Sequence, residues 1–519
     1  MKDKNKYIKM KMTKALLLLI TVIMFLPSCQ DRLDEMNNNP NAITEVPPGY
    51  LFTTAVRGVF RMGDAGGYQY GDFDVLQVDY ASQYAHLAVS DYGREIDKYN
   101  ESHITGDAPN SIFNQIYGGS IKYCNDILIT TAIDGEHPNE LQHALASVVA
   151  VMNFALLTDL FGDIPYFEGG LGKEGVFLPK YDKQEDIYAD MVERLKNNIT
   201  VMKNGDFTNA FPDTDPMYDN DKESWIRFAN SLRLRIAMRA RFVSPAKYEP
   251  IIAECLAEDL IEKNETNATL QHWDSDNGEL RNPWHKRWEE RYLSKIYFFS
   301  VSEKYVEFLK STNDPRLEVM VDTAGNGEYI GLRNGLTNEA YAAINRKNTS
   351  SLSPFVLAKD QPLYLMTASE IWFLRAEAAL FGLVSGDANQ LYQQGITMAM
   401  LQWDIPLTDI AEYLSNSTQG ALSGTTEEQF EQISEQMWLA YVPNYSQAWI
   451  NIRRTGYPVI DQRTGSDVSQ GVTNGYMPSR MLYSYSKEFS VNGKNLQEAI
   501  DRLPGGDKMD SRVWWDVRD

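Results

Sequence analysis

Two stretches of the chain concentrate flat aromatic rings beside hydrogen-bonding side chains. Between residues 273 and 297 stand Trp273, Trp284, Trp288 and Tyr292, with Asp274, Asn277, Arg281 and Asn282 among them. Between residues 80 and 99 stand Tyr84, His86, Asp91, Tyr92, Arg94 and Tyr99. Such rings offer a ligand apolar area at low entropic cost, and neighbouring amides, carboxylates and guanidiniums supply direction. The combination suits sugars, whose rings present apolar faces edged by hydroxyls. The expected contact set is Tyr92, Tyr99, Trp273, Trp284, Trp288 and Tyr292. Each ring also competes with a packing role, because aromatic side chains fill cores and cover helix ends.

Other chemistry is poorly supported. The run Asp274-Ser275-Asp276-Asn277-Gly278-Glu279 alternates oxygen ligands as a calcium loop does, but its glycine comes one place early and His285 stands where the closing glutamate belongs. It reads as a turn. The acids Asp213, Asp215, Asp219, Asp221 and Glu223 read as a solvated loop leading into a helix. Six scattered histidines give no HExxH or His/Cys zinc spacing. No GxSxG elbow or phosphate loop is present, and no GxGxxG opens a helix after a strand. We therefore expect no catalytic residue, metal or cofactor. A net charge of −22 without a basic stripe argues against nucleic acid as a partner.

A third reactive group lies near the start. Six lysines and one aspartate within residues 1–14 precede an apolar run at residues 15–26, too short to span a bilayer comfortably. The run ends in Leu26-Pro27-Ser28-Cys29, which resembles the lipobox of bacterial lipoproteins, so residues 1–28 read as a signal peptide and the Cys29 thiol as the site of lipidation. An ordinary secreted protein or an uncleaved anchor helix are the alternatives. Cleavage would strip six lysines and one aspartate, a loss of five positive charges that takes the net charge from −22 to −27. Attachment would then rest on acyl chains, each buried CH₂ contributing about 0.8 kcal/mol. No later stretch has eighteen uninterrupted apolar residues. Acidic residues 30–35 and the Asn- and Pro-rich residues 37–49 complete a tether spanning residues 29–49. Cys124 and Cys255 read as free buried thiols.

Helices must position these residues. Spacings of three and four between apolar residues recur at residues 141–156, 187–199, 225–242, 248–260, 296–309, 363–381 and 428–449, while strand-like alternation is scarce. Gly162, Gly382 and Pro315 stand where helices should stop. Ala368, Ile371, Trp372, Ala376 and Ala379 mix small and large residues, as close-packed hairpins require. The expected fold is all-α, with tetratricopeptide-like helix pairs and long loops at residues 62–103, 204–222, 262–295, 322–362 and 456–485; residues 50–519 form the helical domain. Loops of that length usually carry function.

Several segments, in order, resemble the SusD/RagB family and its second SusD-like branch. They are Asn37-Asn38-Asn39-Pro40-Asn41 with Pro47-Pro48-Gly49-Tyr50-Leu51, Leu160-Phe161-Gly162-Asp163-Ile164-Pro165-Tyr166, and Tyr181-Asp182-Lys183-Gln184 before Ile187-Tyr188. They continue through residues 225–235, Ala376-Glu377-Ala378-Ala379, Trp449 with Arg453-Arg454-Thr455-Gly456-Tyr457-Pro458, Pro478-Ser479-Arg480-Met481 and Val513-Trp514-Trp515-Asp516. The resemblance implies a lipid-anchored outer-membrane protein facing the cell exterior. It would bind an oligosaccharide or an oligopeptide without transforming it, and act as the lid of a SusC-type TonB-dependent transporter; a helical scaffold without a small ligand of its own is the alternative. The matched segments are scaffold motifs and leave the ligand open.

Overall fold

The computed structural model describes residues 46–58, 74–91, 94–99, 107–277, 280–296, 299–463, 473–483 and 488–518. Cys29 and Tyr92 lie outside them, as do the segment expected to be a signal peptide and most of the expected tether.

Local sequence sets most helix ends. Asn139 accepts from the Gln142 N–H and starts α2, while Gly162 at φ 88° stops it. The ladder consists of α1 (Lys122–Thr131), α2 (Glu140–Phe161), α3 (Gln184–Asn204), α4 (Lys222–Ala240) and α5 (Pro245–Leu256). It resumes with α6 (Ala368–Leu380), α7 (Ala388–Leu401), α8 (Thr426–Ala440) and α9 (Tyr445–Thr455). Neighbours in each run pack on one another, α8 lies on α6 as well, and α4 touches α6. The fold is all-α, built of helix pairs. Helix α2 is long and apolar enough to cross a membrane, yet 89% of its most apolar stretch is buried in the protein, as suits a central core helix.

Where the helical periodicity was extended too far, a cap or a proline intervenes. Residues 296–309 are not one helix: Phe299–Val301 is a strand, Ser302 accepts from the Lys304 N–H, and the helix runs Glu303–Ser311. Residues 363–381 divide likewise at Thr367, with strand Leu363–Met366 before α6. Residues 428–449 divide at Pro443 into α8 and α9, because proline lacks the N–H that a helix interior needs.

Among the described residues, six short strands make three antiparallel pairs: β1 (Ala88–Ser90) with β3 (Phe299–Val301), β2 (Ala268–Leu270) with β6 (Leu363–Met366), and β4 (Val321–Asp322) with β5 (Ser351–Leu352). The Val301 N–H donates to Ser350 O at 3.0 Å, so the β1–β3 and β4–β5 pairs are joined. Together they form the frame of the irregular half.

Buried charge ties the chain's ends to its middle. The wholly buried Asp159 carboxylate accepts from Arg239, from the Tyr188 hydroxyl and from Trp515 Nε1 at 3.0 Å, while its carbonyl accepts from Arg453 at 2.8 Å. Glu377, equally buried, holds Arg454 by two bonds of 2.7 and 2.8 Å and Arg241 at 3.2 Å. Arg235 pairs with Glu370 at 2.6 and 2.5 Å. Arg480 donates to Phe161 O at 2.9 and 3.2 Å and pairs with Asp507. Each guanidinium fork is matched to a carboxylate or carbonyl, as a buried charge requires. Of the acids at residues 213–223, Asp213, Asp219 and Glu223 are exposed as a solvated loop requires, while Asp221 caps α4 and buried Asp215 accepts from Trp225 Nε1 at 2.7 Å.

Candidate functional site

The 273–297 segment folds into a turn followed by a ring-bearing helix. The turn is closed by the Trp273 N–H donating to Leu280 O at 2.9 Å and held by Lys359 Nζ on Asp276 at 2.7 Å. Arg281 then clasps Glu289 through two bonds of 2.7 and 3.0 Å, fixing the turn against the helix. One α-turn, His285–Trp288, passes directly into a π-helical turn, Glu289–Leu293. Such wide turns are rare and recur at functional sites.

Along this helix His285, Trp288 and Tyr292 form a continuous ledge. His285 stacks on Trp288 at 4.9 Å and 15°, and Trp288 meets Tyr292 at 5.6 Å and 36°. His285 Nδ1 lies 2.8 Å from Leu357 O, which makes that nitrogen the protonated one. Burial lowers the His285 pKa, so the ring is neutral and Nε2 is left as an acceptor. The Tyr292 hydroxyl donates to the Asp322 carboxylate; burial and that carboxylate raise its pKa, keeping it protonated. Trp288 and Tyr292 are half-buried, and Trp273 in the adjoining turn is 48% exposed, with the Arg57 guanidinium 5.6 Å from its ring centre. The three rings predicted here that retain exposed surface are therefore Trp273, Trp288 and Tyr292. His285, 6% exposed, backs Trp288 from beneath and stiffens the ledge without offering a face of its own; its i, i+3 spacing to Trp288 was the available signal.

Two other predicted contacts are corrected. Trp284 is only 1% exposed and packs against Phe299 at 5.9 Å and Tyr445 at 5.3 Å. It anchors the ledge helix to the core. Tyr99 is wholly buried, its ring set edge-on to Tyr84 at 5.6 Å and lying 3.6 Å beneath the Arg463 guanidinium. Neither ring offers a face to a ligand.

Arg463 and His86 border a separate cleft of about 480 Å³, whose walls come from residues 302–307 and 333–340. Arg463 Nη2 reaches His86 Nε2 at 3.0 Å and Asp97 Oδ1 at 3.1 Å, and Asp97 Oδ2 accepts the Gly335 N–H at 2.6 Å. Burial, then Arg463 and Lys304, push the His86 pKa well down, so it too is neutral. No cluster of His, Cys, Asp or Glu fit to hold a metal occurs among the described residues.

The all-helical ladder thus carries an irregular half that presents an aromatic ledge and a polar cleft. The family model described as "Starch-binding associating with outer membrane", a SusD-like family, matches residues 40–484, and the chain belongs to that family. Solved structures agree in fold. A chitin-binding protein of 26% identity covers 91% of this chain and 100% of its own at a TM-score of 0.76. A chitin-binding SusD homologue from Flavobacterium johnsoniae, 24% identical, covers 91% and 99% at 0.76. A SusD homologue from Bacteroides uniformis, also 24% identical, covers 91% and 99% at 0.75. No curated protein matches the chain.

Proposed function

We propose that this protein captures oligosaccharides at the outer membrane on the ledge faces of Trp288 and Tyr292, with Trp273 in the adjoining turn, and passes them to a SusC-type TonB-dependent transporter. Family membership across residues 40–484 carries the reading. The chitin-binding structural relatives favour a glycan over a peptide. In this reading Cys29 bears the lipid, residues 29–49 tether the domain to the membrane, and the domain faces the cell exterior. The described residues hold a surface for stacking and hydrogen bonding, and the proposed role is binding without turnover.

The test is calorimetry and affinity electrophoresis of the full chain in detergent against starch- and chitin-derived oligosaccharides and oligopeptides. Saturable glycan binding without hydrolysis is expected, and Trp288→Ala should weaken it about tenfold or more, the scale of one stacked aromatic contact. Binding confined to oligopeptides would remove the ledge from the site. Product release from any glycan would replace capture with hydrolysis.

A further inference from the structure

Stacking holds a sugar against a ring but fixes neither its rotation nor its identity, which takes a polar group aimed at the sugar's edge. The acids on the ledge helix itself are already committed. Both oxygens of Glu289 are held by Arg281, at 2.7 and 3.0 Å, and Glu290 pairs with Arg287 at 3.0 Å. Asp322, which strand β4 brings up to the end of the ledge, is placed differently.

Asp322 touches the ledge directly, because its Oδ2 accepts the Tyr292 hydroxyl. Arg291 approaches that same oxygen, its Nε at 3.8 Å, and gives its Nη2 to Thr349 O at 2.9 Å. The other oxygen, Oδ1, has no hydrogen-bond partner among the described residues, and the side chain is 31% exposed. The backbone beneath is fixed by the pairing of Asp322 with Ser351 across β4 and β5. One end of the residue is thus held by the strand pair and one oxygen by Tyr292, while the second oxygen stays open to solvent beside the rings. An acceptor held in this way costs a ligand little further ordering.

We propose that Asp322 orients the captured sugar, its Oδ1 accepting a hydroxyl of the ring stacked on Trp288 and Tyr292. The inference rests on the glycan-capture reading above and names its specificity. A carboxylate oxygen only accepts, so the sugar must bring a free O–H to that position. A sugar lacking that hydroxyl leaves the oxygen unmatched under the stacked ring, and a site built around a substrate hydroxyl discriminates against the analogue without it.

Calorimetry of the full chain in detergent tests it, with starch- and chitin-derived hexasaccharides as probes, followed by the monodeoxy forms of whichever binds. Loss of one particular hydroxyl should weaken binding to the parent at least about tenfold, and Asp322→Ala should be indifferent to that same hydroxyl. Should the alanine variant not fold, Asp322→Asn keeps the volume and an acceptor for Tyr292. It should cut the penalty to about threefold, because a charge-assisted bond is about twice as strong as a neutral one. A parent indifferent to every deoxy position, or a penalty that persists undiminished in the Asp322 variant, overturns the contact and leaves capture on the ledge standing. A parent that binds none of the probes overturns the capture reading and this contact with it.

Discussion

At the scale of single residues, side chains of one type divide by environment. Trp288 lies half-exposed on the ledge while Trp284, one helical turn earlier, is sealed against Phe299 and Tyr445. Glu435 shows the same principle for charge. Burial, with Glu431 nearby, raises its carboxyl to about 7, against the lowering effect of Gln419 and Lys304. Its folded pKa exceeds the unfolded one, so the folded state is favoured while the group is protonated and loses ground as pH climbs from about 4.5 to about 7. Glu435→Gln should therefore stabilise the protein by on the order of 2 kcal/mol at pH 8 and by little at pH 4. Melting temperatures of both proteins across that range decide it, and parallel curves would refute the assignment. The aromatic content of the 273–297 stretch was legible in the sequence, but the outward direction of Trp288 and the inward direction of Trp284 were not. Both residues stand in polar surroundings in sequence, and only tertiary packing separates them. Arg463, Lys304 and Arg333 gave no signal at all, since residues distant along the chain converge on the cleft only after folding.

At the scale of elements, helices were the readable part because a period of 3.6 persists over many residues. The misread stretches were those where an apolar strand runs straight into a helix, as at Leu363–Met366 before α6, and period alone cannot divide them. Helix α7 escaped notice because Asn389, Gln390, Gln393 and Gln394 dilute its apolar stripe. That helix packs on α6 through Gly395, where an added Cβ would lie 2.6 Å from the Phe373 ring. Phe373 is fully buried and cannot swing aside. Gly395→Ala should thus destabilise the protein by about 1–3 kcal/mol through overpacking, although alanine is intrinsically the better helix former. Chemical denaturation measures the balance, and a gain in stability would show that the ring has room to move.

At the scale of the whole molecule, several of the scaffold motifs supply buried ion pairs. Glu377 of α6 joins Arg454 of α9 to Arg241 at the end of α4, so a single carboxylate spans three parts of the ladder. Glu377→Gln would leave two guanidiniums facing a neutral amide, at a cost of about 3–5 kcal/mol. Urea unfolding of the variant should show that loss, and a midpoint near that of the parent would mean the pairs are dispensable. The Asp159 centre has a different consequence, one of time. Its partner Trp515 lies 356 residues further along the chain. A polypeptide emerging from its N-terminus carries the acid long before the indole and the Arg453 guanidinium exist to enclose it. The enclosure of Asp159 is therefore complete only when the last residues of the tail have been added.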